Sequence, residues 1–121
     1  MMTCECVTGT PTKIRIEGDV GADPIWCHSC GSNLELDDLH LSNLLSRELA
    51  EWGQTYGEWI DWDHDKLRAG GIEMEEAFNQ KGSGLASKVK KELVGRFEVT
   101  FMPSTSARFY ASMERRQSWW N

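Results

Sequence analysis

Apolar and polar positions change their period several times along this chain. Thr12-Lys13-Ile14-Arg15-Ile16-Glu17 alternates β-branched with polar residues, the two-residue period of a half-buried strand. A turn cluster follows from Gly18 to Pro24. Ile25-Trp26 resumes the apolar pattern, and Asn33-Leu34-Glu35-Leu36 alternates again, which predicts a returning strand. Leu41, Leu44, Leu45, Leu49, Trp52, Tyr56, Trp59 and Ile60 then recur at spacings of three and four, the stripe of a helix over residues 41–60. Ser42 or Asp38 is placed to cap it, and Gly53 and Gly57 mark a bend or a close approach of another element.

Residues 61–71 read as a loop ending in two glycines. Residues 72–78 suit a short helix or a docked loop. Gly82-Ser83-Gly84 reads as flexible punctuation, with a further helix starting at Ser83 or Gly84, burying Leu85, Val89 and Leu93, and stopping at Gly95. Phe97, Val99 and Phe101 alternate with polar residues, a strand that ends at Pro103. The order predicts an α+β fold: an N-terminal ribbon of short antiparallel strands packed with two or three helices and a C-terminal strand. Residues 1–103 are expected to form one domain (ribbon 3–38, helical part 41–95, strand 97–102), with 104–121 as a C-terminal extension.

A length of 121 residues suits one domain whose modest core benefits from a staple. The N-terminus lacks a basic start and an apolar run, and no stretch approaches the roughly 18 apolar residues that cross a bilayer. Both features point to the cytoplasm, where disulfides are rare, so the four cysteines need another explanation. The net charge of -6 is unevenly spread. Residues 34–65 hold nine acids against Arg47 alone, whereas residues 81–116 hold eight bases against three acids. The acidic balance argues against a dominant nucleic-acid role, which needs clustered Lys and Arg.

Cys27-His28-Ser29-Cys30-Gly31 is a C-x-x-C-G knuckle. Two cysteines three apart can turn both sulfurs toward one ion, and the glycine lets the backbone curl beneath them. Cys4-Glu5-Cys6 supplies a second pair, so Cys4, Cys6, Cys27 and Cys30 form a candidate ligand set for one structural Zn2+. Residues 3–38 resemble a zinc ribbon with rubredoxin-type knuckles. They depart from it in the first half, which has C-x-C in place of C-x-x-C. The stretch Trp26-Cys27-His28-Ser29-Cys30-Gly31-Ser32-Asn33-Leu34-Glu35-Leu36 also resembles small uncharacterised bacterial or phage zinc-ribbon proteins, a resemblance that carries no activity with it. The rival readings are a redox C-x-x-C, which normally opens a helix in a βαβ unit, iron held by the same thiolates, and unligated core cysteines. His28 could replace one of the four ligands, but a histidine inside a knuckle more often points to solvent, and that is the expectation.

Among the aromatics, Trp52 and Trp59 are expected in the core and Trp62, out of helical register, on the surface. Asp61-Trp62-Asp63-His64-Asp65 starts like a calcium loop, then fails: Lys66 stands where Gly is needed and Ile72 where the bidentate Glu is needed. A solvated acidic turn fits better. The run from Arg108 to Trp120 mixes cations with rings, which suits a terminal extension better than a stacking surface for single strands. No nucleophile elbow, phosphate loop or other catalytic motif occurs. The expectation is a non-enzymatic zinc-binding protein that acts through protein–protein contact, with Trp62, Asp61 and Asp63 as contact residues. The alternative is a nucleic-acid-associated regulator using Lys88, Lys90 and Lys91. An enzyme remains only if Asp61, Asp63 and His64 converge in a pocket.

Overall fold

The computed structural model describes residues 3–118, with the side chains of residues 115–118 left aside. The predicted alternation after Thr12 forms β1 (Lys13–Ile16), and the apolar pair after the turn cluster forms β2 (Ile25–Cys27). They pair antiparallel, Ile14 opposite Cys27 and Ile16 opposite Ile25. The last strand, β5 (Glu98–Phe101), lies parallel to the other edge of β1, with Ile14 opposite Val99. The sheet order is therefore β2-β1-β5. Ile14, Ile16, Ile25, Cys27 and Val99 all fall on one buried face, as the two-residue period requires.

Helix α2 (Gly71–Glu92) packs against β5 and α1 (Asn43–Gln54) against α2, and their buried residues join those of the sheet in one core. Ser42 caps α1: its hydroxyl accepts the Leu45 N–H, while its own N–H and O–H both reach the Glu92 carboxylate at 2.7 Å. Helix α1 is shorter than predicted. It stops at Gln54, and Trp59 and Ile60, expected on its stripe, are buried from a turn and from a strand that follow. Leu44, also placed on the stripe, is exposed. Residues expected as a loop form a small hairpin, β3 (Ile60–Asp61) against β4 (Lys66–Leu67). The predicted return strand at 33–36 is reduced to one bridge, Trp26 with Asn33, followed by a 3₁₀ turn at Leu36–Leu39.

The largest departure lies at Gly82-Ser83-Gly84, which continues a single helix of 22 residues instead of breaking it. A Cβ at Gly82 would sit 2.4 Å from the Trp52 ring and 2.8 Å from Phe101. The glycine lets α2 close on an indole, so packing outweighs the roughly 1 kcal/mol that glycine costs a helix. Trp52 stacks on Phe78 at 4.4 Å and donates its indole N–H to the Phe78 carbonyl. Phe78 in turn meets Trp59 at 5.0 Å, and Tyr56 meets Trp59 edge-on at 5.3 Å. These rings form the centre of the core.

The segment after Ser104 forms α3 (Ser106–Ser118), with Ala107 fully buried. Its start is held by Glu75 of α2, a carboxylate only 3% exposed. Glu75 accepts the Ser104 hydroxyl at 2.7 Å and the Ala107 N–H at 2.9 Å. A buried carboxylate is tolerable here because it satisfies a helix N-terminus. No helix among the described residues is long and apolar enough to cross a membrane.

Candidate functional site

The two cysteine pairs meet at the end of the β1–β2 ribbon. Cys27 is the last residue of β2, and its N–H bonds the Ser32 carbonyl while Gly31 N–H bonds the Cys27 carbonyl. Gly31 has a φ of 79°, which turns the chain back beneath Cys30. On the other side, Gly9 N–H bonds the Cys6 carbonyl and Cys4 N–H bonds the Gly9 carbonyl, closing a tight loop over residues 4–9. Glu5 N–H reaches the Ser32 hydroxyl and links the two loops.

The four sulfurs lie within 4.8 Å of one another, and Cys6 and Cys27 are 3.5 Å apart. All four are free thiols. A tetrahedral ion with bonds of about 2.3 Å needs sulfurs about 3.8 Å apart, so the cage is of the right size for a metal. Among the described residues, no other group of His, Cys, Asp or Glu converges in this way. The knuckle opens no helix, because a turn and a bridge follow it, so the setting of a redox C-x-x-C is missing. His28 is exposed, and its N–H bonds the Lys13 carbonyl.

The thiols do not titrate alike. Cys30 is lowered to about 6, first by the Ser32 hydroxyl and then by the Ser32 N–H. Cys6 is pushed up to about 12, because the Cys4 and Cys27 sulfurs crowd it. Cys4 also rises: the Cys6 N–H pulls it down, but burial and the Cys27 and Cys30 sulfurs outweigh that pull. Four thiolates at one point repel one another, and a divalent cation among them removes that repulsion.

The other predicted residues lie elsewhere. Trp62 is 55% exposed, against 2% for Trp52 and 1% for Trp59. It sits at the hairpin turn and donates its indole N–H to the Gly57 carbonyl at 3.1 Å. Asp61 is occupied within the same turn: it accepts the Asp63 and His64 N–H groups and the His64 ring at 2.9 Å, chiefly the last of which holds its carboxyl below the usual range. Asp63 is exposed, and the described cavity that His64 lines takes in neither Asp61 nor Asp63. Lys88, Lys90 and Lys91 stand exposed on α2, and Lys88 pairs with Glu48 of α1 at 3.5 Å. Trp119 and Trp120 lie outside the described residues, as do the side chains of Arg115 and Arg116.

Sequence reasoning missed an open cavity of about 610 Å³ between the end of β1, the loop after β5 and α3. Its lining includes Glu17, Tyr56, Met102 and Phe109. Met102, between Phe101 and Pro103, and Phe109, before Tyr110, carry no distinguishing mark in the sequence, and only the docking of α3 brings them beside Tyr56.

No curated protein matches this chain. A family model does, described as Serratia CdiI immunity protein-like, over residues 12–104. That span takes in the sheet, α1, the hairpin, α2 and the second cysteine pair, and it begins between the two pairs. The clustered cysteines are compatible with a zinc ribbon, while the family that matches is another one: the chain is a member of the Serratia CdiI immunity protein-like family.

Proposed function

We propose that this chain is an immunity protein, one that binds a toxin protein and blocks it, while its cysteine cage holds a structural zinc ion. The observation that carries the reading is the family match across residues 12–104. The acidic chain, the exposed Trp62 and the lack of a recognisable catalytic motif agree with a role played by surface contact. The hairpin residues Trp62, Asp61 and Asp63 belong to the contact surface in this reading. Cys4, Cys6, Cys27 and Cys30 are the zinc ligands, fastening residues 3–11 to the sheet. Zinc suits four thiolates at tetrahedral spacing and brings no redox chemistry of its own.

Growth of cells producing the partner toxin tests the first half. Co-expression of this chain should restore growth, and the two purified proteins should elute as one complex. A folded chain that neither protects nor co-elutes overturns the immunity reading. Elemental analysis tests the second half, with one zinc per chain expected and none in a Cys27→Ser, Cys30→Ser double variant. Folded wild-type protein free of metal, or loaded with iron, overturns the zinc assignment.

A further inference from the structure

The cavity beside α3 has a composition that points to one kind of occupant. Its floor is Tyr56, fixed edge-on against Trp59 and Phe78. Its walls are Phe109, 61% exposed, and Met102, 44% exposed, so large apolar groups stand uncovered around an aromatic floor. One carboxylate, Glu17, lines it, and no Lys, Arg or His does. Glu17 is ion-paired through Oε1 with Arg15 Nε at 2.6 Å. Rings beside a carboxylate form the environment that receives a lysine or arginine side chain, which here would share Glu17 with Arg15.

The rim continues this pattern. Tyr110, beside Phe109 on α3, donates its hydroxyl to Asp65 of the hairpin at 2.6 Å, tying the cavity wall to the Trp62 turn. Within residues 58–68 of the hairpin and its borders Glu58, Asp61, Asp63 and Asp65 outnumber Lys66 and Arg68. The acidic excess favours encounter with a positive surface. The uncovered rings supply anchors of the type that dominate interfaces.

We infer that this cavity, with the adjoining hairpin, is the docking face for a basic protein surface, and that a lysine or arginine of the partner inserts between Phe109 and Tyr56 toward Glu17. The inference rests on the immunity reading for its partner but not for its test. The probe is a hexa-arginine peptide titrated into the full chain, with a hexa-glutamate peptide as control, followed by NMR shifts of side chains. Shifts should appear at Tyr56, Phe109 and the Trp62 indole with the arginine peptide alone. Glu17→Gln and Phe109→Ala should each weaken it about three- to five-fold, the scale of an exposed cation–π contact, while Lys90→Ala does not weaken it. Circular dichroism on each variant separates lost binding from lost fold.

Shifts spread over other acids such as Asp37 and Glu51, or unchanged by Glu17→Gln, overturn the cation site and leave toxin binding untouched. A toxin that binds the chain with equal strength in the Glu17→Gln and Phe109→Ala variants overturns the docking face alone. A toxin that fails to bind overturns the immunity reading whatever the peptide does.

Discussion

The two ends of the β1–β2 ribbon are held by different physics. At one end the rings of Trp52, Phe78, Trp59 and Tyr56 interlock beneath the sheet, with indole N–H groups satisfied by the Phe78 carbonyl and the Ser106 hydroxyl. At the other, residues 3–11 form no regular element, and Cys30 is exposed. That segment reaches the second cysteine loop through the Glu5–Ser32 bond and the convergence of sulfurs. The aromatic end is stabilised by apolar area, which is non-directional and shared among many contacts. The cysteine end depends on a few groups meeting at one point, so it should be removable as a unit.

The sharpest way to break this contrast is to truncate a ring at the aromatic end. Trp52 is 2% exposed and touches Phe78, Phe101 and Gly82. Trp52→Ala should cost about 3–5 kcal/mol, because the void cannot refill and the Phe78 carbonyl loses its donor. Thermal or urea unfolding checks this. A loss under about 1 kcal/mol would mean that the rings are not the chief support of the fold.

Metal removal should have a smaller and more local effect. With free zinc at a hundred times its dissociation constant, binding contributes about 2.7 kcal/mol to stability. Chelation should forfeit that amount and expose residues 3–11 to proteolysis, while far-UV dichroism from α1 and α2 persists. Ile14, Ile16, Ile25 and Leu49, all 0% exposed, share one core with the rings of Trp52, Trp59 and Phe78. Collapse of helical signal on chelation would show that the two ends are one cooperative unit.

The same contrast separates what the sequence reveals from what it hides. The cysteine cage was legible because ligand spacing is local chemistry: Cys27-x-x-Cys30-Gly31 carries its turn within five residues. The alternation in β1 and β5 was legible for a similar reason, but their parallel pairing was not, since partners more than 80 residues apart leave no local mark. Helix α2 was misread where tertiary contact decided the residue. Gly82 looks like a breaker until the indole of Trp52 is placed against it. The stripe of α1 overran its end because Trp59 and Ile60 keep the three–four spacing by coincidence, while a turn carries them into the core. The cavity beside α3 had no sequence signature, because it arises only when Glu75 seats the start of that helix.

The smallest expected effect is the one that best tests the surface. Trp62 is the hairpin's large exposed ring, and its link to the body of the protein is one hydrogen bond to the Gly57 carbonyl. Its ring also lies over Gly57, where a Cβ would come within 2.9 Å of it. Truncation to alanine uncovers that carbonyl to water, which can replace the indole as donor, so little desolvation is stranded. Trp62→Ala should therefore change stability by less than about 0.5 kcal/mol, in contrast with the several expected for Trp52→Ala. Its effect should appear instead in toxin affinity, since an exposed tryptophan that contributes little to folding is free to act as an interface anchor. Unfolding and binding measured on the same variant decide the matter. Loss of stability comparable to Trp52→Ala would make Trp62 part of the core. Unchanged stability with unchanged affinity would leave the hairpin outside the contact surface and confine docking to the cavity.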